Sequence, residues 1–217
     1  MVSDEEIITR ILNGEKQLYE TLIRKYNQRL YRIGRSIVND DDEVEDIMQT
    51  AYLNAYLNLS GFKNDSSFST WLTSILVNEC LLHKKRNAKF RRILLERQNE
   101  THHLETPLAG LMNNELKGLL EKSIADLPVK YRLIFVMREV EGMSTKETME
   151  ALNLTESNVK VRLNRAKEML RESLCGQDRY SGVYDFHLSR CDNLVRRVME
   201  QVNFISSISG KPPVLFG

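Results

Sequence analysis

Apolar residues recur every three or four positions along most of this chain, and polar breaks divide the pattern into predicted helices. Residues 4–12 predict a short helix ending at Asn13-Gly14. From 16 to 38, Leu18, Leu22, Ile23, Tyr26, Leu30, Ile33 and Ile37 keep helical spacing until Asn39-Asp40-Asp41-Asp42 interrupts it. Asp41 or Asp42 is placed to cap the next helix, which runs to about Leu59 with Val44, Ile47, Met48, Ala51 and Ala55 facing inward. A polar loop at 60–69 carries Phe62 and Phe68, and a further helix starts near Thr70. Residues 99–114 are polar and irregular, with Pro107 and Gly110, and read as a linker. Two more helices are predicted at 115–127 and 130–139, separated by Pro128. An amphipathic stretch at 192–202 places Leu194, Val195, Val198 and Val202 on one side and Arg196, Arg197 and Glu200 on the other.

The stretch MSTKETMEALNLTESNVKVRLNRAKEMLR, 143–171, predicts two short helices around a tight turn. Ser144 with Glu147 three residues on is a capping-box pattern, Asn153 tolerates a left-handed backbone, and Thr155 is placed to cap the second helix. On that helix Val159, Leu163, Ala166 and Leu170 share one stripe. Ser157, Val161, Asn164 and Arg165 lie opposite, flanked by Lys160 and Lys167. A short capped helix with a narrow apolar stripe and a basic, amide-bearing outer face suits a major groove. The same pattern also describes an ordinary solvated helix.

Two other segments carry candidate chemistry. In DDEVEDIMQTAYLNAYLNL the outer positions Asp46, Gln49, Leu53 and Leu57 combine apolar area with a carboxylate and an amide, as a protein-docking face does. The competing reading makes both leucines core residues of a helix buried on two sides. In the helix from Thr70, Asn78 and Glu79 interrupt an apolar run, and seven basic residues follow: Lys84, Lys85, Arg86, Lys89, Arg91, Arg92 and Arg97. Aromatic residues (Phe62, Phe68, Trp71) beside such a cluster are the ingredients for holding unstacked bases against a phosphate-tracking surface.

Composition narrows the class. The 217 residues hold 41% hydrophobic and 28% charged residues, with 10 Gly and 4 Pro, which fits an all-helical globular chain. With a net charge of +1, any nucleic-acid surface is a local patch. Cys80, Cys175 and Cys191 are too scattered for a disulfide framework and suggest a reducing, cytoplasmic setting. The acidic, polar N-terminus does not read as a secretory leader, and no run reaches the length of a membrane span. His102 and His103, and the looser set His187, Cys191 and Cys175, are the only conceivable metal ligands. Their spacing is that of ordinary polar or packing residues, so no metal or other cofactor is expected. No nucleophile–base pair or phosphate loop suggests an enzyme.

Residues 16–175 resemble the bacterial extracytoplasmic-function sigma factors. The likeness rests first on Glu45-Asp46-Ile47-Met48-Gln49 and on Phe62, Phe68, Thr70-Trp71-Leu72 and Asn78. It rests further on Leu127-Pro128-Val129-Lys130-Tyr131-Arg132, Glu141-Gly142-Met143-Ser144 and the run from Val159 to Ala166. The resemblance implies an all-α protein of two small helical domains joined by a flexible linker, plus a C-terminal helical extension. Its limits are a region 2-like domain at 1–92, a linker at 93–114, a region 4-like helix-turn-helix domain at 115–175, and an extension at 176–217. It implies binding to core RNA polymerase, with Asp46, Gln49 and Leu53 docking on the clamp helices of the largest subunit and the flap as a further contact. It implies promoter recognition near −35 by Ser157, Lys160, Val161, Arg162, Asn164, Arg165 and Lys167. The melted −10 element would be held by Phe62, Ser66, Ser67, Phe68, Trp71, Asn78, Lys84, Lys85 and Arg86, and an anti-sigma factor is a further partner of many relatives. Ser74 and Leu82 depart from the family pattern near the −10 site. The alternative is a stand-alone helix-turn-helix regulator whose first domain senses a signal or dimerises.

Overall fold

The computed structural model describes residues 2–95, 113–174 and 188–209, with side chains at 89–95, 113–117, 119, 188–191 and 205–209 excepted. His102, His103, Pro107, Cys175 and His187 lie outside the described residues, as does the side chain of Cys191. Among the described residues the chain is helical, and no helix is long and apolar enough to cross a membrane.

Helix α1 (Asp4–Leu12) starts where the Ser3 hydroxyl accepts the Glu6 N–H at 3.2 Å, and it buries Ile7, Ile8 and Ile11. Helix α2 (Tyr19–Arg35), entered through a 3-10 turn at Lys16–Leu18, buries Leu22, Ile23, Tyr26, Leu30 and Ile33 as the spacing predicts. Helix α3 (Asp41–Leu57) is capped by Asp40, whose carboxylate accepts the Glu43 N–H at 2.9 Å. The cap is therefore one residue earlier than predicted, leaving Asp41 and Asp42 inside the positive first turn. Val44, Ile47, Met48, Ala51 and Ala55 are buried as expected. Helices α2 and α3 approach closely at Gly34, where a Cβ would lie 2.9 Å from Val44 Cγ1. Two tyrosines join them: Tyr19 donates to the Tyr52 carbonyl at 2.6 Å, and Tyr52 donates to the Ile23 carbonyl at 3.1 Å. Helix α4 (Phe68–Leu95) begins before Thr70 because the Ser67 hydroxyl accepts the Thr70 N–H at 3.1 Å.

The second domain comprises α5 (Asn113–Asp126), α6 (Val129–Phe135), α7 (Thr145–Leu152) and α8 (Glu156–Leu174). The single helix predicted at 130–139 instead changes to a π turn at Val136–Val140 and ends at Gly142, φ +64°. Pro128 starts it, and Leu133 to Met137 are all buried. The capping box is complete: Ser144 accepts the Glu147 N–H at 3.1 Å, and Glu147 accepts the Ser144 N–H at 2.7 Å. Asn153 is left-handed at φ 50°, ψ 51°, as predicted.

The two domains are docked, and their buried apolar residues merge into one continuous cluster. Glu141 accepts Arg32 Nη1 at 3.1 Å and Arg29 Nε at 3.4 Å, while the buried Arg132 donates Nε to the Ser36 carbonyl at 2.7 Å. Helix α9 (Leu188–Ser209) extends beyond the predicted 192–202 and packs on α2 and α3.

Candidate nucleic-acid interface

Helix α8 presents the predicted outer face. Val159, Ala166 and Leu170 are buried. Ser157, Lys160, Val161, Asn164, Arg165 and Lys167 are exposed, and Arg162 is half-buried. The turn geometry dictates this division: the left-handed Asn153 swings the chain back, and Thr155 Oγ1 accepts the Asn158 N–H at 3.4 Å to start α8. Val161 is 59% exposed, an apolar contact among amide and cationic groups. Three of the cations have an acidic neighbour: Lys160 with Glu156 at 2.6 Å, Arg165 with Glu168 at 3.5 Å, and Lys167 with Glu139 at 2.9 Å. The hydrogen bond from Lys160 holds the Glu156 carboxyl below its ordinary range. Such exposed pairs contribute little to folding, so phosphates can replace the acids.

In the first domain the predicted aromatics come together. Phe62 stacks obliquely on Trp71 at 5.2 Å between centroids, and Phe68 lies 5.7 Å from Phe62 and 5.8 Å from Trp71. Phe68 is only 2% exposed, so its ring has no face open to a base and serves as the floor beneath the other two. Ser67 is exposed, but its hydroxyl is engaged in capping α4 and shares a hydrogen with Thr70 Oγ1 at 2.8 Å. Ser66 is half-buried beside it.

Trp71 and Asn78 line a cleft of about 490 Å³ with Asn54, Asn58, Gly61, Ile75 and Glu79. Asn54 donates to Glu79 at 2.9 Å. Sequence reasoning missed the contribution of Asn54 on α3 and of Asn58 at its C-cap. The cleft combines an indole wall with three amides, which suits one unstacked base read on its polar edge. Lys84, Lys85 and Arg86 are exposed further along α4.

On α3, Asp46 is exposed while Gln49, Leu53 and Leu57 are half-buried. Leu53 packs partly against the core, as the core reading expects in part.

Residues 22–90 match the family Sigma-70 region 2, and residues 117–170 match Sigma-70, region 4. The chain belongs to the extracytoplasmic-function sigma factor family. It is 26% identical over 184 residues to the RNA polymerase sigma-H factor of Pseudomonas aeruginosa, covering 79% of this chain and 93% of that protein. It is 27% identical over 176 residues to the ECF sigma factor SigW of Bacillus subtilis, covering 77% and 94%. The fold is also that of the sigma factor RpoE of Bartonella quintana, solved with the anti-sigma factor NepR, at a TM-score of 0.57 and 19% identity over 76% of this chain and 98% of that one. CnrH, solved with the cytosolic domain of CnrY, gives 0.58 and 20% over 81% and 99%. The region 2 match disfavours an unrelated sensing or dimerisation domain at the N-terminus. Region 4 coincides with the helix-turn-helix, and the Trp71–Asn78 cleft lies within region 2.

Proposed function

We propose that this sigma factor recruits core RNA polymerase to promoters through two separate DNA grips. It is a transcription initiation factor whose partners are core polymerase and promoter DNA. The carrying observation is the outward face of α8, where Ser157, Lys160, Asn164 and Arg165 are exposed around Val161. In this reading α8 enters the major groove of the upstream element. Arg165 and Asn164 contact base edges, Lys160 and Lys167 contact phosphates, and Val161 meets a thymine methyl.

The cleft of Trp71, Asn78, Asn54 and Asn58 receives a base flipped from the −10 element, with Lys84, Lys85 and Arg86 tracking the adjacent backbone. Flipping a base costs a few kcal/mol, which stacking on Trp71 and hydrogen bonds to the amides offset. Asp46, Gln49 and Leu53 dock on polymerase, and the protein works in the cytoplasm without a catalytic step of its own. Within this scheme 1–92 and 115–175 act as the two grips and 93–114 as their connection, whose 22 residues span up to roughly 75 Å when extended.

The test uses full-length protein with core enzyme on a promoter selected from a library. Arg165→Ala weakens promoter binding by about 5- to 150-fold, the value of one base contact of about 1–3 kcal/mol, and leaves core binding intact. Asp46→Ala weakens core binding instead. Loss of neither activity in the matching variant refutes the assignment.

A further inference from the structure

Helix α9 lies beyond the region 4 match, which ends at residue 170. It is seated on the first domain by both apolar and charged contacts. Leu194, Val195, Val198 and Val202 are buried. Arg197 reaches across to α3, placing Nη1 3.0 Å from Asp46 and Nη2 3.2 Å from Glu45. Asp192 accepts Arg24 Nη1 of α2 at 2.7 Å, which ties the other flank down. Beneath this helix Glu45 is only 8% exposed, and Asp42, Glu45 and Asp46 share a shallow cleft with Asn193, Arg196 and Arg197.

The same Asp46 is the residue through which α3 docks on core polymerase in the function proposed above. Asp46 keeps 73% of its side chain exposed, so an external cation can reach it but must compete with Arg197 for the carboxylate. A helix seated on α2 and α3 also fills the space that a helical partner would need beside Asp46. We infer that α9 is an intramolecular occupant of the polymerase-docking face, so the chain alone is a closed form and core polymerase must displace α9. The occupied surface accepts an amphipathic helix whose apolar stripe is flanked by an arginine. This inference rests on the docking role of α3.

A helix seated in about nine molecules of ten weakens apparent binding about tenfold, because only the open fraction is competent. Two full-length variants unseat it by different physics. Val198→Asp places a charge in the buried stripe, and Arg197→Glu sets a like charge against Glu45 and Asp46. Their affinities for core polymerase are measured beside the parent, with helicity checked by circular dichroism so that a misfolded variant is set aside and the other is read. A synthetic peptide of residues 188–209 is then added in trans to Val198→Asp.

The expected result is binding to core about tenfold or more tighter than the parent, reversed by the peptide, and weakened when Asp46→Ala is added to Val198→Asp. Well-folded variants that bind core with the parent's affinity, while Asp46→Ala in the same background still weakens binding, overturn the role of α9 and leave the docking face standing. Absence of core binding by the parent and every variant overturns the docking role and this inference together.

Discussion

Glu141 adds a charged link between the two sigma domains beside their shared apolar cluster, and removing it should be felt across the whole molecule. Its side chain is 7% exposed and faces Arg32 at 3.1 Å and Arg29 at 3.4 Å, both from α2 of the other domain. Glu141→Ala leaves two guanidinium groups without this carboxylate. Breaking a fully buried pair costs about 3–5 kcal/mol, but the Arg29 and Arg32 side chains are 29% and 19% exposed and regain water. The 3.4 Å contact is also at the weak end of hydrogen bonding. One charge-assisted bond, about 1.5–3 kcal/mol, is therefore the better guide, and we take about 2 kcal/mol. That moves a docked–undocked equilibrium roughly thirtyfold. In urea, with a slope of about 2 kcal/mol per molar, the unfolding midpoint of the docked form falls by about 1 M. In solution scattering the parent should approach the compact radius of gyration of about 17 Å for a chain of this length, and the variant should exceed it. An unchanged midpoint together with an unchanged scattering curve would refute the claim that Glu141 fastens the domains.

Ser144→Ala should cost about 1 kcal/mol in urea titrations, since the hydroxyl that accepts the Glu147 N–H is lost. The hydrogen bond from the Ser144 N–H holds the Glu147 carboxyl below its ordinary range. Its folded-state value lies under the unfolded one, so its stabilisation is complete above the usual carboxylate range and disappears as pH falls through the folded value. The destabilisation seen for Glu147→Gln at neutral pH should accordingly shrink in acid, and a pH-independent difference would contradict the capping role. Gly34→Ala puts a Cβ 2.9 Å from Val44 Cγ1 and should destabilise by about 1–3 kcal/mol, less the helix preference of alanine. Adding Val44→Ala should recover part of that loss in a double-mutant cycle, and strict additivity would show that the two side chains do not collide.

Local structure was legible because each helix announces its own period and ends. The stripe Val44, Ile47, Met48, Ala51 and Ala55, the Ser144–Glu147 box and the left-handed Asn153 all follow from neighbours a few residues apart. So did the outer face of α8, since one buried stripe fixes what the other side shows. Among three consecutive aspartates the pattern cannot say which one caps, and Asp40 does. The π turn after Phe135 preserves the apolar period and is invisible to it. Phe68 looked like a stacking platform because it stands beside Phe62 and Trp71, yet it faces Tyr26 at 5.8 Å as well and is enclosed. The domain contacts were out of reach. Arg32 and Glu141 are 109 residues apart, and Arg197 and Asp46 are 151 apart. No periodicity links charges over such distances. Asn54 and Asn58 were missed for the same reason, because their role in the cleft exists only when α3 lies beside α4.

The outward face of α8 should select a promoter only as part of a polymerase complex. Footprinting on a library-selected promoter, with this protein alone, core enzyme alone and both together, tests it most directly. Protection over the upstream element and unpaired bases near −10 are expected only in the combined reaction, the first lost in Arg165→Ala and the second in Trp71→Ala. Protection of a palindromic duplex by the isolated protein, unaffected by core enzyme, would contradict it.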